Sequence, residues 1–141
     1  MLHQKDTVVV STDKHRLDIA FIHRFLTGSY WAAGRSIEQV EKSIEQSVCF
    51  GLYVNGQQAG FARVLTDKVA FAYLMDVFIA EQHRGKGYSK MLLREILACP
   101  ELSEVGKWML ATRDAHDLYR QFQFTGIPQP EKYMERIAGR G

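Results

Sequence analysis

The sequence predicts a single sheet-centred α/β domain over residues 1–141, a mixed central β-sheet flanked by helices in the order β-α-α-β-β-β-α-β-α-β. Three observations carry that reading. Segments with strand patterning alternate with apolar stripes at helical spacing, Asn55-Gly56 joins two strand-like segments, and a glycine-rich stretch, Arg84-Gly85-Lys86-Gly87, sits where a buried strand gives way to a helix. A chain of 141 residues, 46% hydrophobic and 24% charged, can bury a core but is too short for separate catalytic and substrate domains.

Val8 to Val10 read as a short β-branched strand. Leu17, Phe21 and Phe25, widened by Ile22 and Leu26, then repeat at helical spacing and predict a helix buried on a broad face. The turn-like Thr27-Gly28-Ser29 leads into an aromatic loop, Tyr30 to Gly34, and Ser36-Ile37-Glu38-Gln39 has the form of a capping box opening a second helix. Val48 to Val54 suit a strand, Asn55-Gly56 a type I′ turn, and Ala59 to Leu65 the returning strand. A second reversal at Asp67-Lys68 leads into Val69 to Ile79, apolar on both faces as a central strand should be. From Tyr88 a helix is expected, with Ser89, Leu92, Leu93, Ile96 and Leu97 on its core face, Lys90 and Arg94 opposite, and Pro100 as its stop. Trp108 to Ala111 form a short buried strand, Asp114 can cap a helix carrying Ala115, Leu118, Tyr119 and Phe122, and Ile127 to Ile137 are expected to add one or two edge strands.

A net charge of +2 and a pI near 8.6 lack the concentrated positive charge of a nucleic-acid binder, though anionic small molecules suit them. The longest apolar run, Val69 to Ala80, is short for a membrane span and is interrupted by Asp76; with no apolar run of signal-peptide length at the N-terminus, the chain reads as cytoplasmic. Cys49 and Cys99 have neither CxxC spacing nor His or carboxylate neighbours at metal-ligand spacing, so buried free thiols and no metal are expected.

The loop Gln82-His83-Arg84-Gly85-Lys86-Gly87-Tyr88-Ser89 joins a buried strand to a helix N-terminus. Backbone N–H groups without helical partners, the helix dipole and close approach at glycine suit phosphate oxygens, with Arg84 and Lys86 adding charge; a flexible turn bearing solvated cations fits the loop equally well. Walker spacing is absent, and Lys90 stands where a dinucleotide fingerprint needs a small residue.

The loop resembles the GNAT acetyltransferase signature, Gln/Arg-x-x-Gly-x-Gly/Ala, between that family's fourth strand and third helix. Gln82, Gly85 and Gly87 match it outright; Arg84, Gly87 and Ser89 match it with Ser as the last small residue, and this register is preferred because it leaves Leu92 onward to pack on the sheet. Asp117 to Phe124 is similar to the family's Leu-Tyr-x-x-Phe-Gly-Phe ending, and the resemblance covers nearly the whole chain. Departures are Ser89 for Gly/Ala, Glu81 where many members have Pro, and Gln123 where Gly is usual.

The resemblance implies transfer of the acetyl group of acetyl-CoA to a primary amine of a small molecule or protein, by direct attack in a ternary complex without a metal. It places backbone donors for the thioester carbonyl at a bulge around Phe78 and Ile79, the pyrophosphate on Arg84, Gly85, Lys86, Gly87, Tyr88 and Ser89, and the 3′-phosphate within reach of Lys90 and Arg94. It makes Tyr119 the acid that protonates the leaving thiolate and puts Tyr30 and Trp31 in the acceptor-binding loop, although helical spacing alone also reads Tyr119 as a core aromatic and the loop pair as a cover of the core. A lone carboxylate inside an apolar strand, Asp76, is the candidate base, with burial expected to raise its pKa; a structural pairing with Arg63 is the competing reading, and His116 is a weaker candidate on the solvent side. The same fold also serves as a non-catalytic acetyl-CoA-binding or protein-interaction module. Monomer and homodimer are both open.

Overall fold

The computed structural model describes residues 5–138, which fall into two compact units, one ending at Ala111 and the other beginning at Thr112. The first holds a five-stranded sheet in chain order: β1 (Val8–Ser11), β2 (Val48–Val54), β3 (Gln57–Thr66), β4 (Ala72–Ile79) and β5 (Trp108–Leu110). Strands β1 to β4 run antiparallel and β5 joins β4 in parallel, so the sheet is mixed.

Local sequence signals set the turns. Asn55 and Gly56 adopt φ values of 51° and 84°, the left-handed pair a type I′ hairpin requires. Asp67 accepts from the N–H groups of Val69, Ala70 and Phe71 at 2.9, 2.8 and 3.3 Å; these bonds pull its pKa below the usual carboxylate value and close the reversal into β4.

Two helices lie between β1 and β2. Asp18 caps α1 (Ile19–Thr27) through the Phe21 N–H, while Ser36 and Gln39 form both bonds of the capping box opening α2 (Ile37–Glu45). Their buried residues Ile22, Leu26, Val40 and Ile44 cluster with Cys49, Phe61 and Phe78 of the sheet. Strand alternation turns Phe50 and Leu52 to the opposite face, and α3 (Tyr88–Leu97) packs against β2 and β4. Coverage of both faces explains why every residue of β2 is buried. On α3, Tyr88 is buried with Leu92, Leu93 and Ile96, whereas Leu97, expected inside, is exposed and Ser89 is half-buried. The helical repeat carries Leu97 past the sheet-facing stripe as α3 ends.

The second unit holds α4 (His116–Arg120) and a 3-10 turn at Pro130–Lys132. Asp114 does not cap α4; instead the Thr112 Oγ1 accepts from the Ala115 N–H at 3.0 Å. The edge strands expected from Ile127 onward are not formed among the described residues, where Gly126, Pro128 and Pro130 interrupt any run of ladder donors.

Candidate active site

The sheet is irregular in the second half of β4. β5 pairs only with Ala72, Tyr73 and Leu74, so from Met75 onward that edge of β4 has no strand beside it among the described residues. On the other edge the ladder slips once. Phe61 faces Phe78 and Arg63 faces Met75, leaving Ala62 opposite both Asp76 and Val77 in a β-bulge. The bulge was expected around Phe78 and Ile79; it lies at Asp76–Val77, where Asp76 takes a left-handed φ of 55° that aspartate tolerates better than most residues. An unbroken strand would put Met75 and Phe78 on opposite faces. The bulge resets the phase and keeps both on the α1–α2 side, together with their partners Arg63 and Phe61.

Beyond the bulge, the Ala80 N–H donates to the Ala59 carbonyl at 2.7 Å. Antiparallel alternation then makes Phe61–Phe78 a hydrogen-bonded pair and turns the N–H and C=O of Ile79 to the open edge. The Ile79 carbonyl on that edge accepts from Arg84 Nε at 3.0 Å. The geometry thus separates the two donors expected here: the N–H of Phe78 points into the ladder and that of Ile79 away from it. The Phe78 ring belongs to the core, stacked on Phe25 with centroids 3.8 Å apart.

The glycine loop follows directly. Gly85 and Gly87 have φ values of 79° and 80°, and a Cβ built on either would meet nothing within 4 Å. Glycine is required there by backbone conformation, while the space above it stays open. Gly87 is the N-cap of α3, no side chain caps that end, and Lys86 beside it is exposed. Arg84 is tethered through Nε to Ile79 and lies over the Phe25 ring at 6.0 Å, holding the loop against the end of β4. Tyr88 buries its side chain, so only its backbone is available to a ligand. His83 Nδ1 is buried without a hydrogen-bond partner among the described residues.

Asp76 is buried, and its partners come from distant segments. Its Oδ1 accepts from Trp31 Nε1 at 2.8 Å, and its Oδ2 accepts from Arg35 Nη1 at 2.7 Å and Arg63 Nε at 3.0 Å. Burial is the largest single effect and raises its pKa, but the Arg35 hydrogen bond and the Arg63 and Arg35 charges together outweigh it and hold the carboxyl below its ordinary value. The upward shift expected from burial is therefore reversed, and the pairing with Arg63 is present. Trp31, half out in solvent at 39% exposure, is fixed by this bond and packs edge-on against the more exposed Tyr30 with centroids 5.2 Å apart. Arg35 was not distinguished in the sequence, because a cation after a loop says nothing about a carboxylate 41 residues on.

Tyr119 is buried on α4 of the second unit, edge-to-face with Phe124 at 5.9 Å, and its carbonyl accepts from the N–H groups of Phe122 and Phe124. Exposed His116 starts that helix. Cys49 is buried, and burial pushes its thiol up to about 11 against the weaker opposing charges of Lys14 and Arg63; Cys99 is a half-buried free thiol. Among the described residues no group of three or more His, Cys, Asp or Glu is placed to hold a metal, and no helix is long and apolar enough to cross a membrane.

The family model described as the acetyltransferase (GNAT) domain matches residues 45–126, from the end of α2 through the glycine loop to α4 and beyond. The chain belongs to the GNAT acetyltransferase family. Membership makes it an acyl-CoA-dependent acetyltransferase. A crystal structure from Xanthomonas campestris pv. campestris, of a protein provisionally named a GNAT acetyltransferase, is 45% identical and superposes with a TM-score of 0.90 over 94% of each chain. A Gibberella zeae protein provisionally named an acetyltransferase is 30% identical over 79% of this chain and 75% of its own length. N-acetylglutamate synthase from Neisseria gonorrhoeae, complexed with coenzyme A and N-acetyl-glutamate, shares the fold at a TM-score of 0.64 and 18% identity, over 84% of this chain and 28% of that one.

Proposed function

We propose that this GNAT chain transfers the acetyl group of acetyl-CoA to a primary amine by direct attack in a ternary complex. The observation that carries the reading is the open edge of β4, where the Ile79 N–H stands one short turn before the Gly85–Gly87 loop and the uncapped start of α3. Loop and helix start fit a pyrophosphate: their glycines leave room, their N–H groups supply donors, and Arg84 and Lys86 supply charge. Ile79 then serves as the donor to the thioester oxygen as it becomes an oxyanion.

An aliphatic amine, with a pKa of about 10.4, must lose a proton before its lone pair can attack. Asp76, ionised and engaged by three donors, is poorly suited to take that proton. We assign the removal to water and give Asp76 a positioning role, holding Trp31 and Arg35 of the acceptor loop over the bulge. The amine nitrogen bonds the carbonyl carbon, the C–S bond breaks, and the thiolate takes a proton, a role the family resemblance gives to Tyr119; the proton the nitrogen then sheds passes through water to restore the tyrosine, leaving the N-acetyl amine and free coenzyme A.

Thermal unfolding with acetyl-CoA, coenzyme A, ATP and NAD, paired with thiol release on adding amines, tests this. A Tm rise specific to the coenzyme A compounds, with amine-dependent thiol release that falls at least tenfold in kcat for Tyr119→Phe, is the expected result. A larger rise with ATP or NAD, or thiol release indifferent to amine, would overturn it.

A further inference from the structure

Resting on the acetyltransferase reading above, we propose that the acceptor amine carries an anionic oxyacid group, a carboxylate or phosphate, that docks on the free fork of Arg35 beside Trp31.

The charges around Asp76 do not balance. One carboxylate faces two guanidinium groups, and its other hydrogen bond comes from the neutral Trp31 indole, so the cluster carries a surplus positive charge. Arg63 is not the free partner: its side chain is 7% exposed, and its nitrogens reach Asp76, Ser47 Oγ at 3.1 Å and Met75 Sδ at 3.3 Å. Arg35 is different. Its side chain is 22% exposed, and only Nη1 is engaged, by Asp76. Nε and Nη2, the side-on edge that grips a carboxylate or phosphate with two parallel N–H bonds, have no partner among the described residues.

That edge is held in place. The Arg35 N–H donates to the Ala32 carbonyl at 3.1 Å, its carbonyl lies 3.1 Å from His23 Nε2, and Nη1 is fixed on a buried carboxylate. A guanidinium anchored at backbone and tip, yet open along its fork, loses little freedom on binding an oxyanion. Trp31, tied to the same carboxylate, supplies an exposed aromatic wall for the rest of the acceptor. A purely structural cation would need no surplus charge beside a carboxylate already satisfied by Arg63 and Trp31.

The test compares amines differing only in the acidic group: 4-aminobutyrate against butylamine, and phosphoethanolamine against ethanolamine, with rates corrected for free amine. The acidic member of at least one pair is expected to show kcat/KM roughly 10- to 100-fold higher, the range of a charge-assisted bidentate contact, and the pair that responds tells carboxylate from phosphate. Arg35→Lys, which keeps charge but loses the fork, is expected to remove most of that preference, the acidic amine losing its advantage through KM, while the Tm rise with coenzyme A, which is bound elsewhere, stays in place. Binding is read separately as the extra Tm rise each amine adds to the coenzyme A complex. Equal or better use of the neutral members, with no extra rise from the acidic ones, overturns the anionic acceptor and leaves the acetyltransferase reading standing; loss of amine-dependent thiol release altogether sinks that reading instead.

Discussion

Replacing Asp76 with asparagine keeps the shape of the side chain and the tolerance for the left-handed backbone of the bulge, but removes the charge that two guanidinium groups share. One carboxylate oxygen also becomes an NH2 group aimed at a donor, whichever way the amide is turned. The larger penalty falls on Arg63, whose side chain is 7% exposed and has no other acidic partner among the described residues. Breaking a buried pair from one side typically costs about 3–5 kcal/mol because a charge is left uncompensated. For a chain of this size each kcal/mol moves Tm by about 3–4 °C, so the variant should melt roughly 10–20 °C lower at neutral pH. The pH dependence has a definite sign. The folded pKa of Asp76 is depressed, so its contribution is present above the unfolded value of about 3.9 and is lost as pH falls through the folded value. The gap between wild type and Asp76→Asn should therefore be widest above about pH 5 and close in acid, because a protonated Asp76 resembles asparagine. Urea unfolding at neutral pH and at several points below about pH 4 measures it. A loss under about 1 kcal/mol at neutral pH, or a gap that widens on acidification, would refute the ion-pair argument.

Gly60→Ala tests the packing behind the open edge: the new Cβ would lie 2.7 Å from Ile79 Cδ1 and 3.0 Å from the Phe78 carbonyl. It should cost about 1–3 kcal/mol in denaturant and weaken coenzyme A binding by displacing Ile79, whereas wild-type affinity would detach that residue from the donor site. Gln123 holds a φ of 73° where the resembling family motif has glycine. Gln123→Gly should raise stability by up to about 1 kcal/mol, and a marked fall in Tm would mean that the side chain has a role that outweighs the backbone strain.

What the residues determine by themselves is local. The capping box of Ser36 and Gln39, the Asn55-Gly56 hairpin, the reversal at Asp67 and the glycine loop before α3 depend on groups a few residues apart, and all four form as their spacing predicts. The mixed sheet follows, because those turns leave its segments few ways to bury their apolar faces. The closing strand shows the limit: patterning between Ile127 and Ile137 invites one, but prolines interrupt the donors it would need.

The candidate site depends on distant encounters. Asp76 is visible as a carboxylate in an apolar strand, and from burial alone its pKa should rise; the opposite direction follows only once Arg35 and Arg63 stand beside it, from 41 and 13 residues away. The bulge, the phase it resets and the unpaired edge at Ile79 likewise depend on how β4 registers against β3 and how early β5 ends. Turn chemistry is short-ranged and can be read along the chain. The sign of a buried charge's pKa shift is a sum over neighbours in space, and only the tertiary structure decides who those neighbours are.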